Sequence, residues 1–542
     1  METKRNKRYW LPLFMAASMV LGLLAGVLLT RNSDVRLLDR RMSSLNKLSA
    51  LMSLIDAKYV DTVDLSKMTE ELIPQLLSEL DPHSVYLSAE DRKLTDEQLE
   101  GSFSGVGIQF TLLDDTISIL SVVKGGPSER LGIRAGDQIV RINDSIVAGV
   151  GIKNDQILKT LRGVKGAPVT VGIKRARVPE LLSFTIHRDD IPVHSLDARY
   201  KIGEDIGYIK LGTFGRMAYT EFLQAVAYLK ADGCSRFIVD LRGNTGGLME
   251  PALQIANEFL PAKSLILYTQ GKAYPREEVF STGRGSCQND PLVVLTDEWS
   301  ASSSEILAGS LQDNDRAYVV GRRSFGKGLV QNEIPFKDGS AVRLTIARFY
   351  VPSGRSIQKP YQNGEAEAYQ MDILNRYMKG EFDSKDSIKL IDSLQYETVS
   401  GRTVYGGGGI MPDYFVPLDT SGVTAWYTQV MNKGLLTKYT FQFVNQYRDS
   451  LEQLKTPNQL SDWLEDHNIV EDFVRYAQRQ NVRGRTYFIS ASFPLVLTQI
   501  KAGIARLILG DDAYWKLLQE QDPTLNKAVE VVVSADSAIH LN

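Results

Sequence analysis

The chain has 542 residues, a formal net charge of −3, 43% hydrophobic residues and 23% charged residues. That length is too great for one ordinary domain, and the composition is that of globular protein with large cores. The near-neutral charge gives no reason to expect a nucleic-acid partner, and two cysteines, Cys234 and Cys287, make neither a disulfide framework nor a metal site.

In chain order, Trp10 to Leu29 is a run without charge, preceded by Lys4, Arg5, Lys7 and Arg8. As a helix it spans about 30 Å, enough for a bilayer core. No clear Ala-x-Ala site follows and the run exceeds a usual signal core. Residues 1–33 therefore read as an uncleaved membrane anchor, with a cleaved signal peptide as the alternative. Arg31, Arg36, Arg40 and Arg41 lie beyond the run, so charge bias sets topology only weakly. Residues 34–100 read as helical, with apolar spacing at Leu45, Leu48, Leu51, Met52 and Ile55. His83 follows Pro82 in 80-LDPHSVYLS-88, where a structural turn role outweighs a catalytic one.

Residues 101–188 open on Gly101-Ser-Phe-Ser-Gly105-Val106-Gly107-Ile108, then alternate as a strand over 117–123. Gly126-Pro127-Ser128, Leu131-Gly132-Ile133 and Ala135-Gly136-Asp137-Gln138-Ile139 follow, with a helix expected over 155–161 and ending at Gly163. This succession resembles a bacterial PDZ domain, a module that binds peptides by strand addition. The resemblance implies that Ser104, Gly105, Val106, Gly107 and Ile108 form the carboxylate-binding loop and that Ile157 and Leu161 line the groove.

Residues 189–360 alternate strands and helices. Strands are expected at Ile206–Leu211, 237–241, 292–295, 318–320 and 341–349, and helices near 219–230, near Met249–Phe259 and after Ser302. That is an α/β core. In it, 240-DLRGNTGG-247 is a strand running into a turn whose paired glycines leave backbone N–H groups unobstructed. Ser302, in 300-SASSSEILAGSLQD-313, precedes Lys327 in 321-GRRSFGKGLVQ-331 by 25 residues. A serine hydroxyl needs a base to become a nucleophile. None of the five histidines lies in a glycine- or serine-rich stretch, whereas a desolvated lysine can do the work. Ser302 with Glu305 is also a capping box, and a helix start near Ser302 suits a developing oxyanion. Gly321 to Lys327 matches the glycine and lysine positions of a phosphate-binding loop. Gly328 stands where Ser or Thr is needed, and the following residues look like strand.

Together these segments closely resemble the carboxy-terminal processing, or tail-specific, proteases of the S41 peptidase family with a PDZ domain. In that family a Ser-Ala-Ser-x-Ser-Glu segment is followed by Phe-Gly-Lys-Gly-x-Val-Gln. The resemblance implies Ser302 as nucleophile, Lys327 as base and Gln331 as its partner. Ser303 stands where the family often has alanine. It further implies an oxyanion hole from Gly246 or Gly247 together with the N–H of Ser303. It covers about residues 35–418, including 80-LDPHSVYLS-88 and the closing stretch Gly406–Gly409 with Ile410-Met411-Pro412-Asp413. The fold it implies is α/β: a crotonase-like spiral protease core over 189–418 with an inserted PDZ domain, a helical N-terminal region and a helical C-terminal extension. Within that core, 361–400 reads as a polar insertion. Residues 419–542 read as a helical accessory or dimerisation domain, so a homodimer is open.

The expected activity is serine endopeptidase cleavage of exported proteins near accessible C-terminal tails, guided by the PDZ domain. It needs no metal or organic cofactor, its partners are protein or peptide substrates and the membrane, and it works on the periplasmic side of the cytoplasmic membrane. The rivals are a catalytically inert PDZ scaffold and an acyl-CoA enzyme on the same spiral fold. The intact Ser–Lys–Gln set argues against the first, and the PDZ domain and anchor against the second.

Overall fold

A computed structural model describes residues 15–16, 18–21, 35–390 and 392–534. The expected membrane segment at residues 10–29 falls largely outside them. The chain divides into two compact units, 1–77 and 78–542. The first contains the helix Val35–Lys58, on which Leu48, Leu51 and Leu54 are exposed, and most of the helix Leu65–Ser78.

In the second unit the protease-like core holds two sheets. In one, Leu196–Ile202 and Ile206–Leu211 form an antiparallel pair. Arg236–Asp240, Leu292–Thr296, Tyr318–Gly321 and Tyr414–Phe415 then follow in parallel. These strands are continuous apolar runs because both faces are covered. Phe237, Val239, Leu292 and Val294 pack on the helices Ala218–Ala231, Met249–Phe259 and Ser303–Asp313. Ile238, Val293, Leu295 and Val320 alternate to the opposite face and meet Leu525, Ala528, Val531 and Val532 of the helix Pro523–Ser534. The end of the expected C-terminal extension therefore closes the core sheet rather than standing apart from it. The hairpin of Leu265–Gln270 and Glu277–Phe280, which the sequence pattern does not announce, belongs to the second, antiparallel sheet with Leu329–Pro335 and Ala341–Tyr350.

The short strand Val85–Leu87 pairs with Ala341–Arg343 of that second sheet. The small β domain that follows it is therefore inserted into the core. Its six-stranded antiparallel sheet packs with the helix Asn154–Leu161 around Ile117, Ile119, Ile139, Val169, Val171 and Ile173. The helices from Ala425–Asn432 to Thr486–Leu509 form a core of their own, against which Leu113, Leu120 and Ala135 of the β domain pack. Of the described helices, Thr486–Leu509 is long and apolar enough to cross a membrane, but its Val496, Ile500, Ile504 and Ala505 are fully buried in that core. Cys234 and Cys287 are buried and unpaired.

Candidate active site

Parallel strands Arg236–Asp240 and Leu292–Thr296 lie side by side, so the loops leaving their C-terminal ends meet. Serine hydroxyls join the two loops. Ser300 Oγ donates to the Leu241 carbonyl at 2.9 Å, Ser303 Oγ to Gly247 O at 3.0 Å and Ser304 Oγ to Asn244 O at 2.8 Å. The Ala301 N–H also donates to Asn244 O, at 3.1 Å. Of the serines at 300, 302, 303 and 304, Ser302 alone has a hydroxyl without a hydrogen bond among the described residues. It precedes the helix Ser303–Asp313 at φ 55°, ψ −112°, a backbone conformation that favours glycine and costs a side-chain residue about 1–3 kcal/mol.

Across from it, Gly246 has φ +103°, and a Cβ there would lie 2.8 Å from both Ala301 O and Ser302 Cβ. A Cβ on Gly247 would lie 2.5 Å from Phe214 O. The two glycines differ as donors. The Gly246 N–H is spent on Asn244 Oδ1 at 2.9 Å, whereas those of Gly247 and Ser303 have no partner among the described residues.

Glu305 does more than cap. Fully buried, it accepts four hydrogen bonds. Ser324 Oγ (2.5 Å) and Gly326 N–H (2.7 Å) bind Oε1, and Ser302 N–H (2.9 Å) and Lys327 N–H (2.8 Å) bind Oε2. One carboxylate oxygen thus carries the backbones of both Ser302 and Lys327. Burial pushes the Glu305 pKa up, and its donors pull it back in part.

Lys327 begins no helix. The strand Leu329–Pro335 follows, which removes the phosphate-loop reading. Its pKa is lowered, first by burial and then by Arg343, against the opposing charges of Glu305 and Asp81. Nζ donates to Gln331 Oε1 at 2.9 Å, four residues on. Gln331 Nε2 in turn donates to the His83 carbonyl, which turns the amide oxygen towards the lysine. Among the described residues no hydrogen bond joins Nζ to the Ser302 hydroxyl. The 81–84 turn is fixed by buried Asp81, which accepts from the N–H groups of His83 and Ser84, both at 2.9 Å, and from Thr345 Oγ1 at 3.0 Å. Thr345 is the cross-strand partner of Gln331. The His83 ring lies against Tyr369 and is pushed down to a pKa of about 4, first by burial and then by Lys327.

In the β domain Ser104 and Gly105 pair with Asp190 and Asp189 of the strand Asp189–Pro192. Val106 and Gly107 make the turn, with Gly107 at φ +73°, and Ile108 starts an edge strand paired on one side by Thr116–Val122. Ile157 and Leu161, four apart on one helix face, are 0% and 3% exposed and point into the domain core. They do not line an open groove in this conformation, and Leu158 is the apolar residue of that helix turned outward. Glu305, visible in sequence only as half of a capping box, and Asn244, Asp81 and Tyr369 were missed. Their roles depend on contacts from segments up to 286 residues apart.

Residues 205–364 match Peptidase family S41, 104–186 match a PDZ domain, and 426–510 match a family of unknown function, DUF8443. The chain is 33% identical over 350 residues to a carboxy-terminal-processing protease of Bartonella bacilliformis, covering 64% of this chain and 78% of that protein. It is 35% identical over 324 residues to the carboxy-terminal processing protease CtpB of Bacillus subtilis, covering 59% and 67% respectively. The solved photosystem II D1 C-terminal processing protease aligns at 26% identity over 57% of this chain and 88% of that one, with a TM-score of 0.32. With an S41 core, a PDZ domain and relatives about a third identical over aligned stretches that cover two thirds or more of their own length, the chain belongs to the carboxy-terminal processing proteases, serine-type peptidases of family S41.

Proposed function

We propose that Ser302 and Lys327 form the catalytic dyad of an endopeptidase that cuts exported proteins near their C-terminal tails. The observation that carries this reading is the single unspent hydroxyl of the 300–304 run. It sits on a strained backbone beside two unpartnered N–H groups. Ser302 Oγ attacks the scissile carbonyl while neutral Lys327 takes its proton, then passes that proton to the leaving amine. Water hydrolyses the acyl-enzyme with Lys327 as base again. The N–H groups of Gly247 and Ser303 receive the oxyanion, each contributing about 3 kcal/mol to the transition state. Gly246 supports the loop instead, because its N–H is already engaged. Gln331, oriented by the His83 carbonyl, holds the lysine side chain. Lys327 turns from Gln331 towards Ser302 when substrate is seated, since catalytic hydrogen bonds tighten in the Michaelis complex.

The PDZ turn at Val106 and Gly107 and the open edge of Ile108–Leu113 suit a peptide tail added as a strand. The charge-free run at residues 10–29 anchors the protease body outside the cytoplasmic membrane. A fluorophosphonate probe followed by peptide mass spectrometry tests the nucleophile. Labelling is expected on Ser302 alone, and labelling on Ser300, Ser303 or Ser304 in its place refutes the assignment.

A further inference from the structure

The segment 361–400, a polar insertion in sequence, takes no part in the reaction just described, yet it grips the loop that leads to Lys327. Arg376, on the helix Asp372–Met378, is 3% exposed. Its Nη2 donates to the Arg323 carbonyl at 2.7 Å and its Nη1 to the Ser324 carbonyl at 3.0 Å, while Nε is held by Glu381 at 3.2 Å. Glu381 also takes Arg323 Nη2 at 2.5 Å. One planar guanidinium thus fixes two successive peptide units, a geometry that an ammonium cannot reproduce.

The next residues are held from the same side. Asp372 accepts from Lys359 Nζ at 3.0 Å. That ammonium lies 3.8 Å from the ring centre of Phe325 and 4.1 Å from that of Tyr369, and the Lys359 N–H donates to Gly326 O at 2.9 Å. The Tyr369 hydroxyl meets His83 Nε2 at 3.0 Å and accepts from Gln358 Nε2 at 3.2 Å. Gln358 Oε1 takes the Gly328 N–H at 2.9 Å. Every residue from 323 to 328 other than Lys327 is therefore tied to the insertion directly or through one side chain, and Tyr369 reaches the turn whose carbonyl orients Gln331. With Gly326 at φ +93° and Gly328 two residues on, this loop has little stiffness of its own.

We propose that the insertion is the positioning element for the general base. Arg376 and Tyr369 hold the 323–328 loop so that the Lys327 side-chain nitrogen stays desolvated and set between Gln331 and Ser302. Neither residue touches substrate; both act through the loop. The inference rests on Lys327 being the base.

The test uses the full chain and a peptide substrate, with kcat expressed per active site titrated by the fluorophosphonate probe. Arg376→Ala and Arg376→Lys are expected to lower kcat by about tenfold to a hundredfold, the scale of a small misplacement, with KM nearly unchanged. The acid limb of the kcat–pH profile is expected to move to higher pH, because a better hydrated ammonium loses its proton less readily. Tyr369→Phe, which keeps the ring, is expected to move both readouts the same way by a smaller amount, and it decides the matter if the Arg376 variants do not fold. Fewer titratable sites with an unmoved acid limb and unchanged kcat per site would mean a merely structural insertion and overturn the proposal. An active Lys327→Arg would instead remove the base reading itself, whatever the insertion variants do.

Discussion

Replacing Glu305 with glutamine changes one atom of the site and places a donor where only acceptors work. Each carboxylate oxygen takes two hydrogen bonds, so an amide nitrogen at either position faces groups that can only donate, or one such group and a hydroxyl. With the nitrogen on the Ser302 and Lys327 side, two N–H donors lose their acceptor and meet a third donor. With it on the other side, the Gly326 N–H loses its acceptor. The Ser324 hydroxyl, which also accepts from the Ile410 N–H at 2.6 Å, must then rotate to accept another. The milder arrangement removes at least one hydrogen bond to a charged group, about 1.5–3 kcal/mol. If half or more of that loss falls on the alignment of Ser302 with Lys327, kcat drops by about three- to more than tenfold. The assay is steady-state cleavage of a peptide by Glu305→Gln and wild type, with thermal unfolding measured in parallel. A variant with wild-type kcat and unchanged melting temperature would refute the idea that this carboxylate holds nucleophile and base in register.

Ser302→Gly should be inactive yet more stable than Ser302→Ala, by roughly 1 kcal/mol or more, because glycine relieves the φ 55° backbone and alanine does not; equal melting temperatures would contradict the strain. His83→Ala should keep kcat within about tenfold, since only the backbone carbonyl reaches Gln331, whereas a general base typically contributes about 10²–10⁴-fold. His83 has its pKa lowered from 6.5 to about 4, so its neutral burial favours the fold fully above 6.5. That contribution fades as pH falls from 6.5 towards 4, and acid unfolding monitored by circular dichroism should be less steep over this window in His83→Ala. A peptide ending in a free carboxylate should be cut about tenfold or more faster than its C-terminal amide, because amidation removes a charge-assisted bond to the PDZ turn; equal rates would exclude tail reading.

The α/β core was legible because its strands are short apolar runs and its helices carry an apolar face at helical spacing. Ile206–Leu211 emerges at its observed bounds for that reason, and the helix expected near Met249–Phe259 is found there. The hairpin of Leu265–Gln270 and Glu277–Phe280 was not legible, since Glu277 and Glu278 give its second strand a charged and exposed pattern. Ser302, Lys327 and Gln331 stood out by motif. The choice between Gly246 and Gly247 did not, because it turns on which N–H the Asn244 side chain occupies. Ile157 and Leu161 have the spacing of a helix face, but spacing alone does not say whether that face meets a peptide or the domain's own sheet. The closing of the core sheet by Pro523–Ser534 is likewise a contact between distant segments, with no local signature.

The most direct measurement is the pH–rate profile of wild type beside Lys327→Arg, from pH 5 to 10, per titrated active site. Arginine keeps the positive charge and much of the length but cannot give up its proton. Wild-type kcat should rise with pH through a pKa below the ordinary lysine value, in keeping with the burial of Lys327, and Lys327→Arg should be inactive throughout. A flat wild-type profile, or substantial turnover by Lys327→Arg, would contradict a serine–lysine dyad.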